Sequence, residues 1–135
     1  MSNTVVDVIK LVEGLETSLS YEVQPLANND EIVQVVVQDQ DEFPINVSIA
    51  DDELLCMVRL FDSSDIAEGK TAELHELLLS ANLALPLSSF GKIGDDYMLL
   101  GALSVTSKPE NILLELETLA GNTIEALELI SDYLQ

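Results

Sequence analysis

Tryptophan is absent, cysteine occurs once, and only five lysines and arginines stand among 135 residues. The lone Cys56 has no partner for an internal disulfide, which fits a reducing cytoplasm. Scarce aromatics leave the core to Leu, Ile and Val. The basic residues, Lys10, Arg59, Lys70, Lys92 and Lys108, are scattered singly and form no patch for nucleic acid or anionic lipid. No apolar run reaches the ~18 residues of a membrane span. Met1-Ser2-Asn3-Thr4 does not open a signal peptide. The expectation is a soluble cytoplasmic protein.

Acid is what the chain has in excess. Twenty-five Asp and Glu give a formal charge of -20 on a sequence that is 47% hydrophobic. Disordered chains combine high charge with low hydrophobicity, so this one should fold and carry its charge outside. The acids gather at expected turns: Asp30-Glu31, Asp39 to Glu42, Asp51-Asp52-Glu53, Asp62 to Asp65 and Asp95-Asp96. Such a coat keeps a protein soluble, and it favours basic protein surfaces as partners.

Periodicity orders the elements. Val5, Val8, Ile9, Val12 and Leu15 predict a first helix of about three turns. An extended piece follows over Tyr21 to Leu26, then the turn Asn28-Asn29-Asp30. Ile32 to Gln38 is β-branched and reads as a buried strand. Ile45, Val47 and Ile49 alternate with polar or small residues, and Asp51-Asp52 turns that strand onto Leu54 to Phe61. The loop Asp62 to Lys70 leads to a helix over Thr71 to Leu85, stopped by Pro86. A second hairpin joins Ser88–Ile93 to Tyr97–Val105 through Gly94-Asp95-Asp96. Ser107-x-x-Glu110 has the form of a capping box for a last helix reaching about Tyr133, with Gly121-Asn122 as a candidate kink. The expected class is α+β, one domain over residues 1–135. Its order is α-β-β-β-α-β-β-α, an antiparallel sheet flanked by helices, with room for one extra short strand.

Two helices carry further information. In the last, Ile112, Leu116, Leu119, Ala120, Ile124, Leu127, Ile130 and Leu134 form the expected buried stripe. Glu117, Glu125, Glu128 and Asp132 line the opposite face with Glu110. Carboxylates near a helix C-terminus oppose its dipole by roughly 0.3–1 kcal/mol each. The four are therefore candidate contacts for a basic partner, the plainer reading being a solvated face. In the middle helix, Leu74, Leu77, Leu78, Ala81 and Leu85 should pack on the sheet, while Leu79 and Leu83 point away. Those two are candidate dimer contacts, unless a loop or the last helix covers them.

Chemistry is hard to find. His75 has no second His or thiol at ligand spacing, so zinc is disfavoured. Cys56, between Leu55 and Met57, reads as a core thiol. No glycine-rich phosphate loop exists. Asp39-x-Asp41-Glu42 opens like a calcium loop, but Pro44 stands where the turn glycine belongs. No carboxylate pair in an apolar setting stands out. A non-enzymatic protein without cofactor or metal is expected, the alternative being a small-ligand or divalent-cation regulator using the acidic turns.

The stretch Ala72-Glu73-Leu74-His75-Glu76-Leu77-Leu78-Leu79-Ser80-Ala81-Asn82-Leu83, the hairpin Phe90 to Leu100 and Pro109-Glu110-Asn111-Ile112 resemble the second half of class I type III secretion chaperones and YbjN-type proteins. The whole chain more closely resembles the YjfI family of small acidic bacterial proteins. The resemblance implies a secretion-chaperone-like homodimer that binds an extended segment of another protein. It also implies a phage shock protein A-like protein as a candidate client, and dimer contacts on the middle helix at Leu79 and Leu83.

Overall fold

A computed structural model describes residues 19–25, 31–37, 42–85 and 87–135. The expected first helix, the Asn28-Asn29-Asp30 turn and Asp39-x-Asp41 lie outside them. Six strands, β1 (Leu19–Pro25), β2 (Glu31–Val37), β3 (Ile45–Ala50), β4 (Glu53–Asp62), β5 (Ser89–Ile93) and β6 (Asp96–Ser104), form one antiparallel sheet in the order β1-β2-β3-β4-β6-β5. The extended piece after the first predicted helix is thus a full strand, paired with β2 from Leu19↔Val37 to Pro25↔Glu31. Helix α1 (Thr71–Ala81) follows β4, and α2 (Pro109–Ile130) follows β6. This is the α+β class read from the sequence.

Strand alternation divides the sheet into two unlike faces. Val33, Val35, Ile45, Val47, Leu54, Cys56, Val58 and Leu99 point to one face and are at most 1% exposed. Cross-strand pairs such as Val47↔Cys56 and Val58↔Leu99 keep them together. Leu74 and Leu78 of α1 and Ile112, Leu116, Leu119 and Ile130 of α2 close over this face in one aliphatic cluster. Each such leucine or isoleucine contributes roughly 1.5–3 kcal/mol by leaving water.

Local chemistry explains where the helices end. Helix α1 stops at Ala81, short of the Leu85 expected, because Asn82 to Ala84 turn away and the Asn82 side chain leaves to meet β5. Helix α2 begins at Pro109, whose fixed φ and missing N–H suit a first turn. Ser107 lies one residue too early to cap it. Lys108 is the cap residue, without a side-chain bond, so the predicted capping box does not form. A capping box does form on the short 3-10 turn Ser63–Asp65, between Asp62 and Asp65. Gly121-Asn122 do not interrupt α2, which ends at Ile130 in another 3-10 turn, Ser131–Tyr133.

The end of α2 has a cation that its own segment lacks. Lys70 Nζ donates to the Asp132 carbonyl at 3.0 Å and lies 5.8 Å from the Tyr133 ring centroid. Ala67 N–H donates to Tyr133 O, and Gln135 N–H to Asp65 O, both at 2.8 Å. The dipole penalty inferred from the absence of a local base is therefore offset by a residue 62 positions upstream.

Candidate functional site

Helix α1 lies beside the edge strand β5, and a groove of about 280 Å³ runs between them. The buried side of α1 is narrow: Leu74 and Leu78 reach the core, Leu77 and Leu85 are partly covered. The outer side is bare. Leu79 is 73% exposed and Leu83 94%. Neither the following loop nor α2 covers them, as the plainer sequence reading allowed.

The groove floor is aromatic and well organised. Tyr97 stacks on Phe61, ring centroids 4.6 Å apart, and its hydroxyl is 2.6 Å from His75 Nε2. Burial raises the Tyr97 phenol above its ordinary value, Asp95 adding to that and Ser63 opposing it. Lys92 Nζ lies 5.6 Å from the Tyr97 ring centroid and donates to Gly94 O at 2.6 Å. Gly94 turns the β5–β6 hairpin with φ +60. Asn82 Oδ1 accepts the Phe90 N–H at 2.7 Å, tying the loop after α1 to the sheet edge. Apolar walls from Leu78, Leu79 and Phe90 therefore meet a polar end at His75, Asn82 and Lys92. The arrangement suits docking of an apolar side chain, with the Tyr97–His75 pair as its polar contact.

Glu117, Glu125, Glu128 and Asp132 are all exposed, as the helix period requires. Their surroundings differ from the expectation, because Leu114 (54%), Ile124 (40%) and Leu129 (44%) share that outer surface. The hydrophobic period predicts Ile124 in the buried stripe, and the structure places it outside. At 3.6 residues per turn it stands about 120° from the line through Ile112 and Ile130, while Thr123 and Ala126 lie near that line and are buried. The outer face of α2 is thus mixed apolar and acidic. The two candidate surfaces are distinct: Leu79 and Leu83 belong to α1 and its turn, the four carboxylates to α2 and its end.

Two features escaped the sequence reading. Glu115, 5% exposed, points inward at Gly101, where a Cβ would collide with its Oε1. Burial raises its carboxyl above the ordinary range. Cys56 is buried nearby, and its thiol is pushed up to about 12 by burial and then by Glu115. Such a thiol is a poor nucleophile at neutral pH. A 3.6-residue period alone places Glu115 beside the buried stripe and could have flagged it. The second feature is Arg59, bonded to Asp62 and Asp96 at 3.0 Å each. That bridge needs β4 and β6 side by side, which no local signal gives.

Among the described residues no three His, Cys, Asp or Glu groups converge on a cation site, and no helix is long and apolar enough to cross a membrane.

With this geometry in place, comparison identifies the family. The chain belongs to the family described as "Uncharacterized protein conserved in bacteria (DUF2170)", which matches residues 6–134. It is similar to the "Uncharacterized protein YjfI" of Escherichia coli (strain K12) and that of Escherichia coli O157:H7. Each is 26% identical over 112 residues, covering 80% of this chain and 83% of the relative. The fold matches the crystal structure of YbjN from E. coli with a TM-score of 0.64, 98% of this chain against 99% of that one, at 13% identity. At that identity the likeness is one of fold.

Proposed function

We propose that this protein is a non-enzymatic, homodimeric protein-binding module of the bacterial cytoplasm, which holds or regulates another protein. The observation that carries the reading is the outer side of α1 and its following turn, where Leu79 and Leu83 are exposed beside an apolar groove. Together with the groove they form a contiguous apolar patch, and such patches mark protein contacts. A second copy meeting α1 to α1 is a self-complementary arrangement. The client in this reading is a phage shock protein A-like protein, as the YjfI resemblance implies. Glu117, Glu125, Glu128 and Asp132, interspersed with Leu114 and Leu129, offer it a mixed acidic and apolar contact. The alternative of a divalent-cation or small-ligand regulator at the acidic turns has no converging donor set among the described residues behind it.

Sedimentation equilibrium tests the dimer. Leu83→Glu together with Leu79→Glu should yield a folded monomer. Each chain carries -20, so dimerisation should strengthen as salt screens the repulsion. Cross-linking in the native cell, followed by identification of the captured protein, tests the client. A strictly monomeric wild type that captures no protein would overturn the reading.

A further inference from the structure

Among the described residues a second concavity lies on neither helix. About 540 Å³ opens on the far face of the sheet, walled by Leu55, Met57, Leu87, Ile93, Leu100 and Ala102. Register puts these side chains together: Met57↔Leu100 and Leu55↔Ala102 are cross-strand pairs, and Ile93 faces Asp96. Ser88, Ser89 and Gly101 complete the lining. Leu87 and Ile93 are 54% and 57% exposed. Helices α1 and α2 bury their core leucines against the other face.

We infer that this hollow receives an amphipathic helix from a partner protein, apolar along one side and carrying lysine or arginine at both ends. The inference rests on the protein-binding reading and names the client surface and the client's chemistry. Backbone accounting selects a helix. Strand N–H and C=O groups are bonded within the plane of the sheet, so the face offers an incoming chain no main-chain partners. An extended segment lying there would bury unsatisfied peptide groups, whereas a helix satisfies its own.

Charge selects the ends. At one end of the hollow stand Asp95 and Asp96 with Asp62, and the single guanidinium of Arg59 is already shared between Asp62 and Asp96. At the other end Glu53 pairs with Ser104, next to the exposed turn Asp51-Asp52. Asp96 and Ser104 are eight residues apart on β6, roughly 26 Å at ~3.3 Å per residue. A helix of about 17 residues spans that length at ~1.5 Å per residue. An apolar trough with net negative charge at both ends complements such a helix and repels its acidic counterpart.

The test uses the full chain and three synthetic 18-residue peptides: a Leu/Ala amphipathic helix with two lysines at each end, the same helix with glutamates there, and a scramble of the first. The lysine peptide should bind at least ten-fold more tightly than either of the others, with affinity falling as salt rises. Backbone resonances of Leu55, Met57, Ile93, Leu100 and Ala102 should shift. Met57→Glu, or Ala102→Glu at an exposed position should the former melt early, should weaken binding at least ten-fold, while Leu83→Glu should not. Equal binding of the scramble, or shifts confined to α1 or the outer face of α2, would overturn the inference and leave protein binding standing. A dimer dissociated by Ala102→Glu but not by Leu83→Glu would assign the hollow to a second copy and overturn it too. Failure to capture any partner in cells overturns the broader reading whatever the peptides do.

Discussion

The two faces of the sheet are built from alternate residues of the same strands, yet they behave differently. Leu54, Cys56 and Val58 are fully buried on one side, while Leu55 and Met57, their immediate neighbours, are only half-buried on the other. Composition does not separate them, since both sides of β4 are apolar. What separates them is cover: α1 and α2 place Leu74, Leu78, Leu116 and Leu119 on the first. A strand apolar on both faces is expected to be covered on both. Among the described residues the second face carries a hollow instead. The covered face should therefore supply most of the stability, and truncations beside the hollow should cost less.

The largest test of that contrast is truncation. Leu116→Ala should cost about 2–5 kcal/mol in chemical denaturation, because Leu116 is completely enclosed. Met57→Ala should cost less than about 1 kcal/mol, as expected for a partly solvated site. Equal losses would erase the distinction.

Gly101 tests how closely α2 approaches the covered face. Gly101→Ala should destabilise by roughly 1–3 kcal/mol, since its methyl meets the Glu115 carboxylate. Adding Glu115→Ala should recover part of the loss, the Leu87 carbonyl at 3.3 Å retaining the remainder. Strict additivity in that double-mutant cycle would place the strain elsewhere.

A smaller effect concerns pH. Burial raises the Glu115 carboxyl, so the folded chain holds this proton more tightly than the unfolded chain does. Its stabilising contribution is complete below the unfolded value and is lost as pH rises through the folded one. Glu115→Gln should therefore melt higher than wild type at pH 8, with the advantage shrinking towards pH 4. A constant difference across that range would count against a titrating carboxyl. The smallest effect is expected at the rim: Lys70→Met should cost roughly 0.3–1 kcal/mol by removing the cation from the end of α2.

Much of the fold was legible because its signals are local. Alternation over Ile45–Ala50, the Asp51-Asp52 turn and the Gly94 hairpin each determine backbone direction within a few residues, and each strand formed within about two residues of its expected bounds. Cys56 and the Leu74–Leu78 side of α1 are buried as read. The misreadings arose where angle or distance mattered. Ile124 was counted into a stripe that it misses by about a third of a turn. Ser107 was one residue from the cap it was expected to be. The acidic face of α2 was read without Leu114 and Leu129, which share it. Leu79 and Leu83 were legible as outward-facing, since a helix packed on a sheet by one side must show the other.

The sequence by itself determined an acidic, aliphatic α+β chain with its charge in the turns, because charge, period and turn chemistry are properties of neighbouring residues. Tertiary structure alone decided that Lys70 meets the end of α2, that Arg59 bridges two strands, that Glu115 is buried against Gly101, and that a hollow lies beside Leu55 and Met57 on the sheet face away from α1 and α2. Each of these depends on which strand lies beside which, and on where the helices settle. Those are outcomes of burying the whole aliphatic cluster at once, and no short stretch of chain encodes them.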